Sequence, residues 1–284
     1  MNLPEPVVDE CRARGWGEVA EVVPLGGGCI HASYRLRTTG GQRLFLKTNE
    51  AVPADMFARE ASGLTTLAVE GGPHLPRPLL WAEDFRLLEH LDSARAQGGY
   101  WERLGRELAT LHSHASPQFG FEHDNYLGRT PQPNPWTTDG RAFFREHRLL
   151  FQARRARDAG LLDTAGVRHV EAIADGLDDL VPDDPACLIH GDLWSGNVMQ
   201  GPQGEPCLID PACHYGWAEA ELAMTELFGG FPDAFYQAYV EEHPLVGGWR
   251  ERFPVYNLYH LLNHLNLFGA GYLASVRTIL RAYA

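Results

Sequence analysis

Leu188-Ile189-His190-Gly191-Asp192-Leu193-Trp194-Ser195-Gly196-Asn197, followed by Cys207-Leu208-Ile209-Asp210-Pro211-Ala212, is the stretch on which the fold turns. Each half is a short apolar run that ends in a turn carrying a carboxylate. The first run reads as a strand delivering His190 and Asp192 to a loop, with Asn197 five residues beyond Asp192. The second delivers Asp210, thirteen residues beyond Asn197. Two carboxylates and an amide presented this way are the parts that phosphoryl transfer needs. One carboxylate accepts the proton of the attacking hydroxyl, while the amide and the other carboxylate hold Mg²⁺ against nucleotide phosphates. The bland alternative, in which Asp192 and Asp210 merely cap turns, does not explain why two apolar strands both end in this way.

Upstream, Leu44-Phe45-Leu46-Lys47 places a lysine in an apolar strand, where a cation usually requires an anionic partner. Glu60 follows thirteen residues later on an expected helix, Ala54 to Val69. These two are expected to form an ion pair that holds Lys47 against ATP phosphates. Gly26-Gly27-Gly28 separates two strand-like runs and does not open a helix. That disfavours a dinucleotide fingerprint and suits a loop folded over phosphates. Leu88-Glu89-His90-Leu91 ends the last strand, where backbone groups of Glu89 and Leu91 are candidates to read adenine. Short strands dominate up to Leu91. Afterwards helices prevail, around an expected strand pair, Cys187–His190 with Pro206–Ile209. The expected fold is α+β and two-lobed, like a protein kinase: an ATP-binding lobe over residues 1–91 and a catalytic and substrate-binding lobe over 92–284.

The spacing of Asp192, Asn197 and Asp210 resembles the protein-kinase catalytic loop and its metal-binding Asp, in the His-Gly-Asp form of small-molecule kinases related to aminoglycoside phosphotransferases. A closer resemblance, over nearly the whole chain, is to the fructosamine kinase (ketosamine 3-kinase) family. It is carried by Pro24-Leu25-Gly26-Gly27-Gly28-Cys29-Ile30, by Phe119-Gly120-Phe121 with Asp124-Asn125-Tyr126-Leu127-Gly128, and by Asn134-Pro135-Trp136. Phe143 to Leu149, Glu221 to Phe231 and Leu261-Leu262-Asn263-His264-Leu265-Asn266 complete it. The resemblance implies ATP and Mg²⁺ as cofactors and a ketosamine, free or on a protein lysine, as the partner phosphorylated on its 3-hydroxyl. The resulting 3-phosphate destabilises the adduct and frees the amine, a deglycation step. The alternatives are a kinase of another small hydroxyl compound, aminoglycoside- or choline-like, and a nucleotide-binding pseudokinase. The Phe119–Trp136 loop opposes the first; retention of Lys47, Asp192, Asn197 and Asp210 opposes the second. His31, Gly140 and Trp217-Ala218 depart from the family pattern without removing a catalytic group.

Candidates for the sugar pocket are Trp194 and Trp217, which flank the two loops, and His264, on a helix expected from Pro254 to Leu267. There Tyr256, Tyr259, His260, Asn263 and His264 recur at helical spacing, giving a polar, aromatic, uncharged face suited to a polyol. Each could instead bond neighbouring loops. The formal charge of −13 disfavours nucleic acid as a partner. The stretch without charged residues, Phe253 to Val276, is too rich in Asn and His for lipid, so no membrane partner is expected. The start Met1-Asn2-Leu3-Pro4 lacks the features of a signal peptide, and five cysteines without a CxxC suit free thiols in the cytoplasm. A monomer or weak homodimer is expected. Cys29, next to the glycine loop, is a candidate redox switch through a disulfide with a second molecule.

Overall fold

Alternation along two strands sets the architecture of the first lobe. The computed structural model describes residues 3–26 and 31–283; Gly27, Gly28 and Cys29 lie outside the described residues. Helix α1 (Glu5–Ala13) precedes β1 (Val19–Leu25), β2 (Ala32–Thr38) and β3 (Arg43–Thr48); α2 (Met56–Leu67) then leads to β4 (Pro78–Trp81) and β5 (Phe85–Glu89). The strands form one antiparallel sheet in the order β1-β2-β3-β5-β4. Because successive side chains point to opposite faces, Leu44, Leu46, Phe85 and Leu87 join Val7 and Cys11 of α1 in a small core. The intervening Phe45 and Leu88 face the larger core of the second lobe. Lys47 and Arg86, directly opposite each other in the β3–β5 register, share that face.

The second lobe begins with α3 (Tyr100–His112), β6 (Ala115–Ser116) and a hairpin, β7 (Asn125–Leu127) and β8 (Thr130–Gln132). Helix α4 (Gly140–Phe144) runs through a π-type turn (Arg145–Leu150) into α5 (Phe151–Asp158), followed by α6 (Thr164–Asp175) and α7 (Leu177–Leu180). Then come β9 (Ala186–Ile189), β10 (Val198–Gln200), β11 (Pro206–Leu208), β12 (His214–Gly216) and the helices α8 (Ala218–Leu227), α9 (Asp233–Glu242), α10 (Trp249–Phe268) and α11 (Leu273–Tyr283).

Three expectations need correction. The two apolar strands do not pair with each other: β9 lies between β12 and β6, and β11 pairs with β10. Each strand instead pairs with the short strand that follows the other's loop: β9 with β12, beyond the Asp210 turn, and β11 with β10, beyond the Asp192 loop. The helix expected from Pro254 starts at Trp249, after Gly248 in a left-handed conformation (φ 79°), so Pro254 lies inside it. The apolar spacing of Thr164 to Leu180 suggests a single helix, which instead breaks at Gly176 into α6 and α7. Among the described residues, no helix is long and apolar enough to cross a membrane. Cys11, Cys187, Cys207 and Cys213 are free and buried.

Candidate active site

The two loops that end β9 and β11 touch. Gly191 has φ 82°, and a Cβ there would lie 2.2 Å from the Ala212 carbonyl oxygen, so no side chain fits between His190 and Asp192. Backbone bonds close the contact: Ala212 N donates to His190 O (2.9 Å) and Ile209 N to Asn197 O (3.1 Å). The His190 ring joins the loops as well. Its Nε2 lies 2.9 Å from Ile209 O, and its Nδ1 accepts from Asp192 N at 3.3 Å. That pattern specifies the neutral Nε2–H tautomer, and burial lowers the pKa of this ring. His190 is therefore a strut between the loops.

Glu221, on α8, supports the loop from beneath, a role not anticipated from the sequence. Its buried carboxylate accepts from the backbone N–H of His190 and of Gly191 (2.9 Å to the latter). His112 Nε2 lies 3.5 Å away, and His112 Nδ1 meets the Tyr239 hydroxyl at 2.7 Å. Burial alone would raise the Glu221 pKa; His112, His190 and the loop N–H bring it below the ordinary value. The signal available in sequence was a glutamate directly before the apolar run Leu222-Ala223-Met224 of that helix.

Asp192 emerges from this platform half-buried. Asn197 Nδ2 donates to its backbone O (2.7 Å) and to its Oδ2 (3.1 Å). Burial pushes the Asp192 carboxyl well above the usual range. The Asn197 bond opposes that, and the nearby Asp210 and Glu221 charges add to it. A carboxylate raised in this way is suited to taking a proton. Because Asn197 spends its amide nitrogen on Asp192, its carbonyl oxygen is the atom left for a cation.

Asp210 is the one non-glycine among the described residues with positive φ, at 53°. Such strain requires external support, and two cations supply it. Lys47 Nζ lies 2.7 Å, and Arg86 Nη2 3.1 Å, from the same oxygen, Oδ1. Withdrawal from water would raise this carboxyl, but Lys47 and Arg86 outweigh that and hold it well below the usual range. Two expectations change. Lys47 pairs with Asp210, not with Glu60, whose Oε2 lies 3.0 Å from Arg86 Nη1. Arg86, absent from the candidates, is fully buried at this junction; its signal was an arginine directly before Leu87-Leu88.

Around these groups the remaining nucleotide-side candidates fall as follows. Gly26 is exposed at the end of β1, with open space at its α-carbon. The Glu89 N–H is spent on Arg77 O (3.1 Å), so of the backbone groups expected to read adenine it does not supply a donor. Leu91 follows, half-buried. His31 packs against the Phe57 ring (5.4 Å); burial, with Lys47 nearby, pushes its pKa down to about 4.

The segment Phe119–Trp136 braces the Asp210 turn. Asn125 Nδ2 donates to Cys213 O (2.7 Å), and Gln132 Nε2 to Ala212 O (3.0 Å). Asn134 is held by Arg148 Nη2 (2.7 Å). Toward the first lobe, the Tyr126 hydroxyl donates to Asp55 Oδ1 (2.6 Å), and His123 Nε2 meets Ser62 Oγ (3.0 Å). The irregular loop expected here is thus a hydrogen-bonded hairpin tying α2 to the turn.

Of the pocket candidates, Trp194 is exposed and stands edge-on to Phe228 (5.9 Å), which in turn contacts His264 (4.8 Å). His264 Nδ1 bonds His260 O (2.8 Å), which leaves Nε2 as an acceptor; burial lowers its pKa, so the ring is neutral. Trp217 is not on this surface. It is buried among Phe119, Phe144 and Tyr256, and its Nε1 donates to Asp184 O (3.1 Å). A Cβ on Gly140 would lie 2.4 Å from the Phe119 ring and 2.8 Å from the Trp217 ring, so a glycine there leaves room for both rings. Tyr256, Tyr259 and Asn263 are buried and bonded to Glu219, Gln132 and Gln152, and His260 is buried beside them.

The fructosamine kinase family model matches residues 12–284. The chain belongs to the fructosamine kinase family. A "probable ketoamine kinase" of Synechocystis sp. is 45% identical over 264 residues, covering 90% of this chain and 88% of its own. The chloroplastic protein-ribulosamine 3-kinase of Arabidopsis thaliana is 37% identical, covering 94% and 83%. The crystal structure of a fructosamine-3-kinase candidate from Thermobifida fusca superposes with a TM-score of 0.89 at 36% identity, covering 99% of both chains. Aminoglycoside phosphotransferase APH(4)-Ia, at 15% identity, a TM-score of 0.62 and coverage of 99% and 100%, shares the fold. This member of the fructosamine kinase family is thus a phosphotransferase with the two-lobed kinase fold, acting on a hydroxyl group and using ATP.

Proposed function

We propose that the chain is a ketosamine 3-kinase that transfers the γ-phosphoryl group of ATP to the 3-hydroxyl of a sugar held on an amine. The acceptor is a ribulosamine, erythrulosamine or fructosamine, free or on a protein lysine. Asp192 takes the hydroxyl proton as the oxygen bonds to phosphorus, and the phosphorus–oxygen bond to ADP breaks. Asn197 and Asp210 hold Mg²⁺; their free carbonyl and carboxylate oxygens are the hard donors this ion requires. When bound, Mg²⁺ offsets the charge of the phosphates. Lys47 contacts the phosphates, Gly26 borders them, and backbone at Glu89 and Leu91 borders the adenine. Trp194, Phe228 and His264 border the sugar, with His264 Nε2 accepting from a hydroxyl and the rings covering C–H faces. The phosphorylated adduct releases its amine, a deglycation step. Free, buried thiols suit a cytoplasmic setting.

One observation carries the reading: Asn197 joins Asp192 through its side chain and the Asp210 strand through its backbone, so base and metal-side carboxylate are one hydrogen-bonded unit facing Lys47. ATP consumption measured over ribulose-, erythrulose- and fructose-lysine, with choline and aminoglycosides as controls, tests it. Turnover confined to the ketosamines is the expected result; turnover confined to a control overturns the substrate assignment.

A further inference from the structure

Arg86 presents a problem that the nucleotide site as described does not solve. It is fully buried in β5, across from Lys47 on one side and Trp81 on the other, where an uncompensated guanidinium is costly. Among the described residues its Nε and Nη1 make no hydrogen bond, Nη1 meeting Glu60 as an ion pair alone. It stands directly across from Lys47, and like charges in that relation repel unless anions lie between them. The anions are Asp210, touched by both cations, and Glu60, which reaches only Arg86. Arg86 has no exposed surface, so it cannot meet a nucleotide in the cleft, whereas more than a third of the Asp210 side chain is open to solvent.

Resting on the reading that Asp210 meets the metal, we propose that Arg86 is its positioning residue. It keeps the Asp210 carboxylate in its left-handed turn when Lys47 leaves Oδ1 for the nucleotide phosphates. Two cations thus divide the work: Lys47 moves to the phosphates, and Arg86 stays. Glu60 on α2 acts through Arg86, fixing the cation that does not move. The position of α2 is thereby linked to the metal-side carboxylate instead of to the phosphate-binding lysine.

The test is a pair of double-mutant cycles on the full chain, read by calorimetric ATP titrations with and without Mg²⁺ and by thermal melts. Arg86→Lys keeps the charge and loses the fork. It is expected to lower the Mg²⁺-conferred tightening of ATP by at least about tenfold, the scale of one charge-assisted hydrogen bond, with Mg²⁺-free binding kept. Lys47→Met is expected to weaken both. Glu60→Gln should add nothing to Arg86→Lys and should add fully to Lys47→Met. A folded Arg86→Lys variant with undiminished Mg²⁺ tightening overturns the proposal, as does Glu60→Gln that is additive with Arg86→Lys and silent in Lys47→Met. If Arg86→Lys gives no cooperative melt, the Glu60–Lys47 cycle decides alone: additivity supports the proposal and non-additivity overturns it. A wild-type chain whose ATP affinity ignores Mg²⁺ removes instead the metal role of Asp210 on which the proposal stands.

Discussion

Two loops carry one aspartate each, and they treat it in opposite ways. Asp192 rests on neutral hydrogen bonds from Asn197, on a platform held by a buried glutamate, and its carboxyl is pushed up by burial. Asp210 sits in a strained left-handed turn gripped by two cations, and its carboxyl is pulled down. Identical side chains therefore become suited to different tasks: one to exchange a proton, the other to stay charged beside a cation. The loops are in direct contact, so the difference arises from what each faces. Asp192 is bonded by Asn197 within the second lobe, and Asp210 by the cations of β3 and β5.

The sharpest way to break this contrast is at Asp192. Asp192→Asn should lower kcat by about 10²–10⁴-fold, the scale of a positioned base, with Mg²⁺-dependent ATP binding retained. The base must be ionised, so wild-type kcat should fall as pH drops through a value above the ordinary carboxyl pKa of about 4. A rate that stays flat down to that pH contradicts a raised carboxyl. Glu221→Ala tests the platform. Two loop N–H groups and His112 lose their acceptor, at a cost of about 2–4 kcal/mol in denaturant unfolding, with the Mg²⁺ effect on ATP affinity unaltered. A melt like the wild type's would mean that the platform does not hold the loop.

Asp210→Asn should erase most of the Mg²⁺-conferred tightening of ATP, a drop of roughly tenfold or more by calorimetry. Stability should separate the two aspartates by sign. The depressed Asp210 contributes stability that is present above its unfolded pKa and lost as pH falls toward its folded one. The raised Asp192 instead costs stability once pH exceeds its unfolded value. At neutral pH, Asp192→Asn should therefore raise the melting temperature and Asp210→Asn lower it, each by a few degrees on the scale of about 1 kcal/mol. Shifts of the same sign would erase the contrast. The smallest effect is expected at the aromatic border: Trp194→Ala and His264→Ala should raise KM for a ketosamine by roughly three- to tenfold, a loss of about 1 kcal/mol of contact, with KM for ATP unchanged. An effect on ATP alone would move these residues out of the sugar site.

Local information was enough for part of this. Apolar runs ending in His190-Gly191-Asp192 and in Asp210, with Asn197 between, are legible because strand period and loop spacing are properties of neighbouring residues. So are the sheet of β1 to β5 and the helical second half. The motifs of the Phe119–Trp136 segment identify the family, but not what the segment does. Its bonds to Ala212, Cys213 and α2 join residues far apart in the chain.

Tertiary structure decided whatever depended on two distant groups competing for a third. Lys47 has Glu60 at the expected spacing, yet its partner is Asp210, because β5 places Arg86 opposite it and Arg86 takes Glu60. Trp217 flanks a functional loop in sequence and is buried in space, because Gly140 leaves room for its ring. Tyr256, Tyr259 and Asn263 line one helix face with His264, but residues of α8, β8 and α5 satisfy the first three, while His264 packs on Phe228, which Trp194 also meets. The sequence by itself determined which chemistry the chain carries, since that resides in residue types at short spacing. Which charge meets which was left to the fold, because a buried ion chooses its counter-ion by distance in space.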